Sequence, residues 1–334
     1  MFRLPSVMTS VELLDMAFRR LSKVSVKGKH KVKTAKNSSI RKIGVLHGAI
    51  KTTLTRYQRE FPSVDNLHPF YSEIVDILAG RDRLKKSLGA LKWCVDKTRE
   101  VKVSYIRGIR RSKRYEEIER QRKEAYGRIS SIVKQISDDL DFLVEARKRM
   151  RKMPSIDPNV PTIVIAGYPN VGKSQLVRAM SSGTPTVENY PFTTKKVSLG
   201  HFDQNHTRFQ VIDTPGLLDR EMSERNEIEK QAIAALRFLA HAIIFILDMT
   251  EICGYEISSQ EALLRTVSEQ FREIPLVATE NKSDLMSGES SRIQVSALTG
   301  DGVERLMEIA TEAAKSRALE VARARESHSC QDLS

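Results

Sequence analysis

The stretch TIVIAGYPNVGKS, Thr162 to Ser174, decides the fold. Thr162 to Ala166 is a short β-branched run closed by glycine, which reads as a buried strand. Gly167 to Ser174 then matches G-x-x-x-x-G-K-[ST] and precedes a helical stretch, the setting in which that pattern cradles phosphates. The glycines permit a tight loop. Backbone N–H groups of Asn170, Val171, Gly172, Lys173, Ser174 and Gln175 are expected to face an anion at the positive end of the helix that follows. Lys173 is expected to reach the β- and γ-phosphates of a nucleotide, and Ser174 to ligate Mg2+.

Other motifs follow in the matching order. VIDTPGLLD, Val211 to Asp219, completes a strand from Arg208 to Ile212. Asp213 is expected to hold Mg2+ through water, and the Gly216 N–H to contact the γ-phosphate. Phe192 to Thr194 lies between the two motifs. Thr194 is assigned as the second Mg2+ ligand, because its hydroxyl would be released once the γ-phosphate leaves; Thr193 is the rival, since spacing does not separate adjacent threonines. NKSD, Asn281 to Asp284, follows a strand from Pro275 to Thr279. Asp284 can accept from guanine N1–H and the exocyclic amine together, whereas adenine offers neither donor there. Asn281 would bond N7 and tie loops together, Lys282 would lay its stem over the base, and in SAL, Ser296 to Leu298, the Ala297 N–H would meet O6. The expected ligand is therefore GTP or GDP.

Leu217 stands where Ras-type enzymes carry a glutamine that orients the attacking water. Leucine cannot do this, so the catalytic set reduces to Lys173, Thr194, Gly216 and Asn170. Asn170 has two readings: its carbonyl ligates a potassium ion beside the developing charge, or it only stabilises the loop turn. A partner particle that orders the switches is the other source of the missing function.

Working outward, short β-branched runs (TIVIAG, RFQVID, AIIFILD, PLVAT, RIQVSA) alternate with helical patterns after residue 153, the mark of a doubly wound, mostly parallel α/β domain. Before residue 153 the pattern is helical almost throughout. Thr9 and Glu12 have capping-box spacing. Ile40, Ile43, Leu46, Ile50, Leu54, Tyr57 and Phe61 recur mostly three and four apart. A short helix is expected over Pro69–Leu78, and a long antiparallel pair over Arg81–Arg111 and Lys113–Met150. Lys23–Ser39 lacks the periodicity and reads as a basic loop. The expected division is a basic helical domain 1–153, a nucleotide-binding α/β domain 154–316 and a polar tail 317–334.

Charge divides the chain in the same way. Residues 1–153 hold 37 Lys and Arg against 17 Asp and Glu, while residues 154–334 hold 18 against 25. A net of +20 on one half suggests that it meets a polyanion. Aromatic residues are few there, and Trp93 is expected to pack inside the bundle, which argues for contacts to the backbone of structured RNA rather than a stacking platform. Three scattered cysteines suit a reducing cytoplasm. His201 and His206 read as strand and turn residues. The longest apolar runs fall short of the ~20 residues a membrane helix needs, and the chain is expected to act as a monomer.

At these residues the chain resembles the nucleolar GTP-binding (Nog) branch of the Obg-related GTPases. AGYPNVGKS, PFTTK, VIDTPGLLD, ERNEIEKQAIAAL and EICGY look like that branch, and so do FPSVDNLHPFYSEIVDIL, SLG and MPSIDPN in the helical half. The resemblance covers roughly residues 1–315 and implies a GTPase that helps assemble the large ribosomal subunit and binds ribosomal RNA through its helical domain. The long C-terminal extension of eukaryotic members does not follow here, so the chain looks like the short, archaeal-type form. Gln175, Glu280 and the SAL segment depart from the usual pattern, and Glu280 adds charge near the base. Two rival functions stand beside this one: an RNA-binding placeholder with negligible turnover, and a GTPase acting on another structured RNA.

Overall fold

A computed structural model describes residues 4–151, 153, 156–188, 197–213, 218–219, 225, 227–288 and 290–331. The chain forms two compact units, residues 1–67 with 78–151, and residues 68–77 with 152–334.

In the first unit, α1 (Ser10–Ser22) opens with the capping box its sequence announces. Thr9 Oγ1 accepts from the Glu12 N–H at 3.3 Å, and the Glu12 carboxylate accepts from the Thr9 N–H at 2.9 Å. In α2 (Lys31–Glu60) the buried face carries Ile43, Leu46, Ile50, Leu54 and Tyr57, as the periodicity requires. This helix starts earlier than expected, so the basic loop shrinks to residues 24–30. No glycine or proline interrupts Lys31–Ser39, and burial of Ala35 and Ser39 anchors the added turns.

α4 (Arg81–Arg111) turns back through Ser112–Arg114 into α5 (Tyr115–Gln135), and α6 (Ser137–Met150) completes the unit. The second long helix is thus broken at Ile136, whose ψ of 18° leaves the helical region. Ser137 there hydrogen-bonds Ser10 of α1 at 2.8 Å, so a tertiary contact holds the break. Between α2 and α4 a polar pair is buried. His47 Nδ1 lies 3.2 Å from Thr98 Oγ1, which donates to the Cys94 carbonyl at 2.8 Å. Trp93 does not pack inside the bundle: it is 40% exposed on α4.

The second unit includes residues 69–77 of α3 (Pro69–Ala79), where Tyr71 Oη donates to the Ile156 carbonyl at 2.5 Å. Its centre is a sheet of β1 (Thr162–Ala166), β2 (Thr186–Glu188), β3 (Val197–Gln204), β4 (Thr207–Asp213), β5 (Ala242–Asp248), β6 (Leu276–Asn281) and β7 (Ile293–Gln294), in the order β2-β3-β4-β1-β5-β6-β7. From β4 to β7 the pairing is parallel; β2 and β3 are antiparallel additions. His201 lies in β3. His206 sits with Asn205 in the β3–β4 turn, both at positive φ (59° and 49°), as a two-residue hairpin turn requires. The remaining helices are α7 (Lys173–Met180), α8 (Glu227–Ala235), α9 (Ile257–Gln270) and α10 (Val303–Gln331). Residues 317–331, polar in composition, continue α10.

Ile163, Ile165, Val211, Ile244 and Ile246 pack with Leu176, Val177 and Met180 of α7 and with Leu306, Ala310 and Ala314 of α10. The alternate residues Val164, Ile212, Ile243, Phe245 and Leu247 are also fully buried. Burial on both faces explains why the central strands read as unbroken apolar runs. Parallel pairing then brings the C-terminal ends of β1, β4, β5 and β6 to one edge of the sheet.

Candidate functional site

At that edge β1 runs straight into the glycine-rich loop. Gly167 and Gly172 have φ of 136° and 102°, which L side chains rarely adopt. Space excludes a side chain as well: a Cβ on Gly167 would lie 2.6 Å from the Ile246 carbonyl oxygen, and one on Gly172 would lie 2.1 Å from Asn281 Nδ2. Asn170 takes φ 63°, a left-handed conformation that asparagine tolerates. Val171 is fully buried in the core, which leaves its peptide groups to act.

Lys173 opens α7, is 7% exposed, and donates from Nζ to the carbonyls of Gly167 (2.8 Å) and Tyr168 (2.6 Å). Its ammonium therefore spans the loop. The first bond onto Gly172, from the Leu176 N–H at 2.9 Å, leaves the N–H groups of Lys173, Ser174 and Gln175 ahead of the helical ladder, as at any helix start.

Ser174 Oγ donates to Asp213 Oδ2, and Asp213 is fully buried at the end of β4. A hydroxyl and a carboxylate in contact are a hard-oxygen pair that suits Mg2+. Just beyond Asp213, the Leu218 carbonyl accepts from the Gly167 N–H at 3.0 Å, and buried Arg225 pairs with Asp219 at 3.4 Å. Thr193, Thr194, Gly216 and Leu217 lie outside the described residues.

The residues expected to read the base gather at the end of β6. Asn281, 2% exposed, donates to the Val171 carbonyl at 2.8 Å and accepts from the Ala297 N–H at 2.9 Å. One side chain thus braces the phosphate loop against the SAL loop, and the Ala297 N–H expected to meet guanine is bonded to Asn281 here. Ser296 Oγ donates to Asp284 Oδ1 at 2.6 Å, which orients that exposed carboxylate. The departure at Glu280 is neutralised: it accepts from Ser290 Oγ at 2.9 Å and lies 3.8 Å from Arg292.

Sequence reasoning missed Asp248, at the end of β5. It is fully buried and accepts from Lys282 Nζ (2.5 Å), the Thr250 N–H (3.0 Å) and hydroxyl (2.5 Å), and the Cys253 N–H (2.8 Å). Gln260 clamps the peptide of Asp248 from both sides, at 2.8 and 3.0 Å. Burial alone would raise the Asp248 carboxyl, but hydrogen bonds from Lys282, Thr250 and Cys253 and the Lys282 charge outweigh it and hold the group below its ordinary value. Beside it Tyr255 stacks on Tyr168 of the phosphate loop, ring centroids 4.3 Å apart. The signal was present in the sequence, as an aspartate at a strand end followed two residues later by threonine, an Asx-turn pattern.

This arrangement offers one charged loop for phosphates, one hard-oxygen pair for a divalent ion and one carboxylate set to read two donors on a base. The family profile described as the NOG1 N-terminal helical domain matches residues 2–157, and the profile described as a 50S ribosome-binding GTPase matches residues 162–282. An uncharacterized protein of Methanocaldococcus jannaschii is 38% identical over 86% of this chain and 81% of its own. Nucleolar GTP-binding protein 1 of Arabidopsis thaliana is 34% identical over 83% of this chain, and that of Saccharomyces cerevisiae 32% over 86%. The match spans only 41% and 45% of those two proteins' lengths.

Proposed function

The chain belongs to the NOG1 family of GTPases, and from that premise we propose that it is a GTP-hydrolysing switch acting in assembly of the large ribosomal subunit. The observation that supports the nucleotide half of this reading is the Asn281 brace, which ties the phosphate loop to the loop whose Ser296 hydroxyl bonds Asp284. In this proposal Asp284 accepts from the two guanine donors while Ser296 holds its orientation. Lys173 exchanges the loop carbonyls for the β- and γ-phosphates. The N–H groups of residues 170–175 bind the remaining phosphate oxygens. Ser174 and Asp213, joined by Thr194, would hold Mg2+, which when bound neutralises charge on the β- and γ-oxygens. Gly216 contacts the γ-phosphate, so the segment around it responds to hydrolysis.

The RNA half is carried by charge. We assign residues 1–153 to ribosomal RNA and residues 154–316 to GTP, with a polar segment from 317 to 334. The chain acts as a monomer in the cytoplasm. No helix among the described residues is long and apolar enough to cross a membrane.

The test is GTP hydrolysis by the full chain, alone and with large-subunit precursor particles. Leu217 cannot orient water, so the basal rate should be on the order of ~10⁻⁴ s⁻¹, and particles should raise it at least tenfold. Equal rates in the two conditions would favour the placeholder. Cross-linking that recovers another RNA in place of ribosomal RNA would favour the third reading.

A further inference from the structure

We infer that the phosphate-gripping surface of the helical unit is one end of it, where residues 27–36 meet the α4–α5 turn, residues 107–114, and that its ligand is the backbone of structured RNA. This rests on the RNA-binding role proposed above and gives it a location.

Two contacts join stretches that are far apart in sequence. Lys36 Nζ donates to the Arg110 carbonyl at 2.9 Å, across 74 positions, and Lys31 Nζ sits over the Tyr115 ring, 4.6 Å from its centroid. They pin the start of α2 to the turn. The two stretches together hold ten Lys and Arg and no Asp or Glu. Nine of the ten are exposed. Among the described residues none of them lies within ion-pair distance of a carboxylate, whereas Arg83, Lys85, Lys97 and Arg122 of the same unit are paired.

Gathering like charges costs self-repulsion that a polyanion relieves. Each cation that neutralises a phosphate also releases a counterion. The turn is concave: a cleft of about 870 Å³ is lined by Arg111, Lys113, Arg114 and Arg120, with Glu116 and Glu117 also on its wall. Gln121 Nε2 donates to Glu117 at 3.3 Å and to Ser112 Oγ at 3.0 Å, which engages one oxygen of that carboxylate. Arginine's planar fork meets phosphate in bidentate fashion. An anionic membrane is the less suitable partner. The single exposed large apolar side chain in these stretches, among the described residues, is Val32 at 36%, so the surface has no wedge to insert.

The experiment uses the full chain and large-subunit ribosomal RNA in a filter-binding salt series. One variant carries Lys33→Gln, Arg110→Gln, Arg111→Gln and Arg114→Gln. A control removes four exposed lysines elsewhere on the unit, Lys51, Lys92, Lys123 and Lys134, also to Gln. Circular dichroism and GTP affinity check that both fold. Four lost phosphate contacts should flatten the slope of log K against log salt by about 3 and raise Kd at least tenfold at 0.15 M salt, and the control should change Kd less than threefold. Equal losses in the two variants, or no loss in either, would overturn the location and leave the RNA role standing. Wild-type chain that does not bind the RNA would overturn both. Tighter binding to phosphatidylserine vesicles than to RNA, lost in the same variant, would reassign the surface to a membrane.

Discussion

Asp248→Asn tests whether the buried aspartate works through Lys282, the lysine proposed to lie over the base. In an isosteric amide, Oδ1 keeps its bonds from Thr250, but an NH2 group replaces Oδ2, which accepts from Lys282 and from the Cys253 N–H. Two donors then face a donor. A buried donor left unmet costs about 1–3 kcal/mol. Lys282 is 19% exposed and can turn partly toward water, so its share falls at the low end. The nucleotide-binding unit should lose about 2–4 kcal/mol of stability. The lysine should also lose the charge-assisted contact that holds its stem in place, worth about 1.5–3 kcal/mol, so GTP Kd should rise roughly ten- to a hundredfold. The assay is titration of a fluorescent GTP analogue into wild type, Asp248→Asn, Lys282→Met and the double variant. If Asp248 acts through Lys282, the second substitution adds little to the first. Fully additive losses, or wild-type affinity in Asp248→Asn, would refute the reasoning.

Asp284→Asn should shift preference from GTP toward XTP in a binding competition, and retained GTP preference would undo the NKSD assignment. Leu217→Gln should leave basal hydrolysis within about threefold of wild type, because one amide does not supply the missing charge; a rise to the particle-stimulated rate would contradict this. Exchanging K+ for Na+ should slow hydrolysis only in chains with Asn170 intact; a wild-type rate unchanged by the exchange, or an equal fall in Asn170→Ala, would leave Asn170 its turn role alone. Burial, then Lys102, Lys51 and Arg99, lower the His47 pKa from 6.5 to about 4. The folded state therefore disfavours the imidazolium: His47 contributes stability above pH 6.5, lost as pH falls toward 4, up to about 3 kcal/mol. Denaturation of wild type and His47→Gln across that window should show the larger loss in wild type, and parallel curves would count against it.

The nucleotide site was largely legible because its chemistry is local. A strand, a glycine loop and a helix start are consecutive in sequence, and Gly167, Gly172, Lys173 and Ser174 meet without help from distant residues. Asp248 was not legible as a partner of Lys282, since only parallel pairing of β5 with β6 brings those strand ends together. The β2 strand was missed, and β3 was read only at His201, for a related reason: antiparallel additions toward a sheet edge carry weaker apolar runs than central strands. In the helical unit, periodicity identified the buried face of α2 but not its start, because Lys31–Ser39 is held by Ala35 and Ser39 more than by a stripe of large apolar residues. The break at Ile136 depends on Ser10, more than a hundred residues away. Trp93 was misplaced because its size argued for burial and the residue alone does not say which way α4 turns it.

Most of α3 belongs to the unit whose remainder begins at residue 152. Phe70, Ile74 and Val75 are fully buried there. A ribosome making this chain at ~5–20 residues per second delivers these side chains several seconds before the first strand of their sheet. Through that interval α3 is an apolar helix without its core, while α4 to α6 are already emerging. Newborn chains are therefore expected to expose Phe70, Ile74 and Val75 over this interval. A fragment ending near residue 153 would carry the same exposed helix for good, so poor solubility of such a fragment would reflect where the chain was cut rather than any instability of the helical unit.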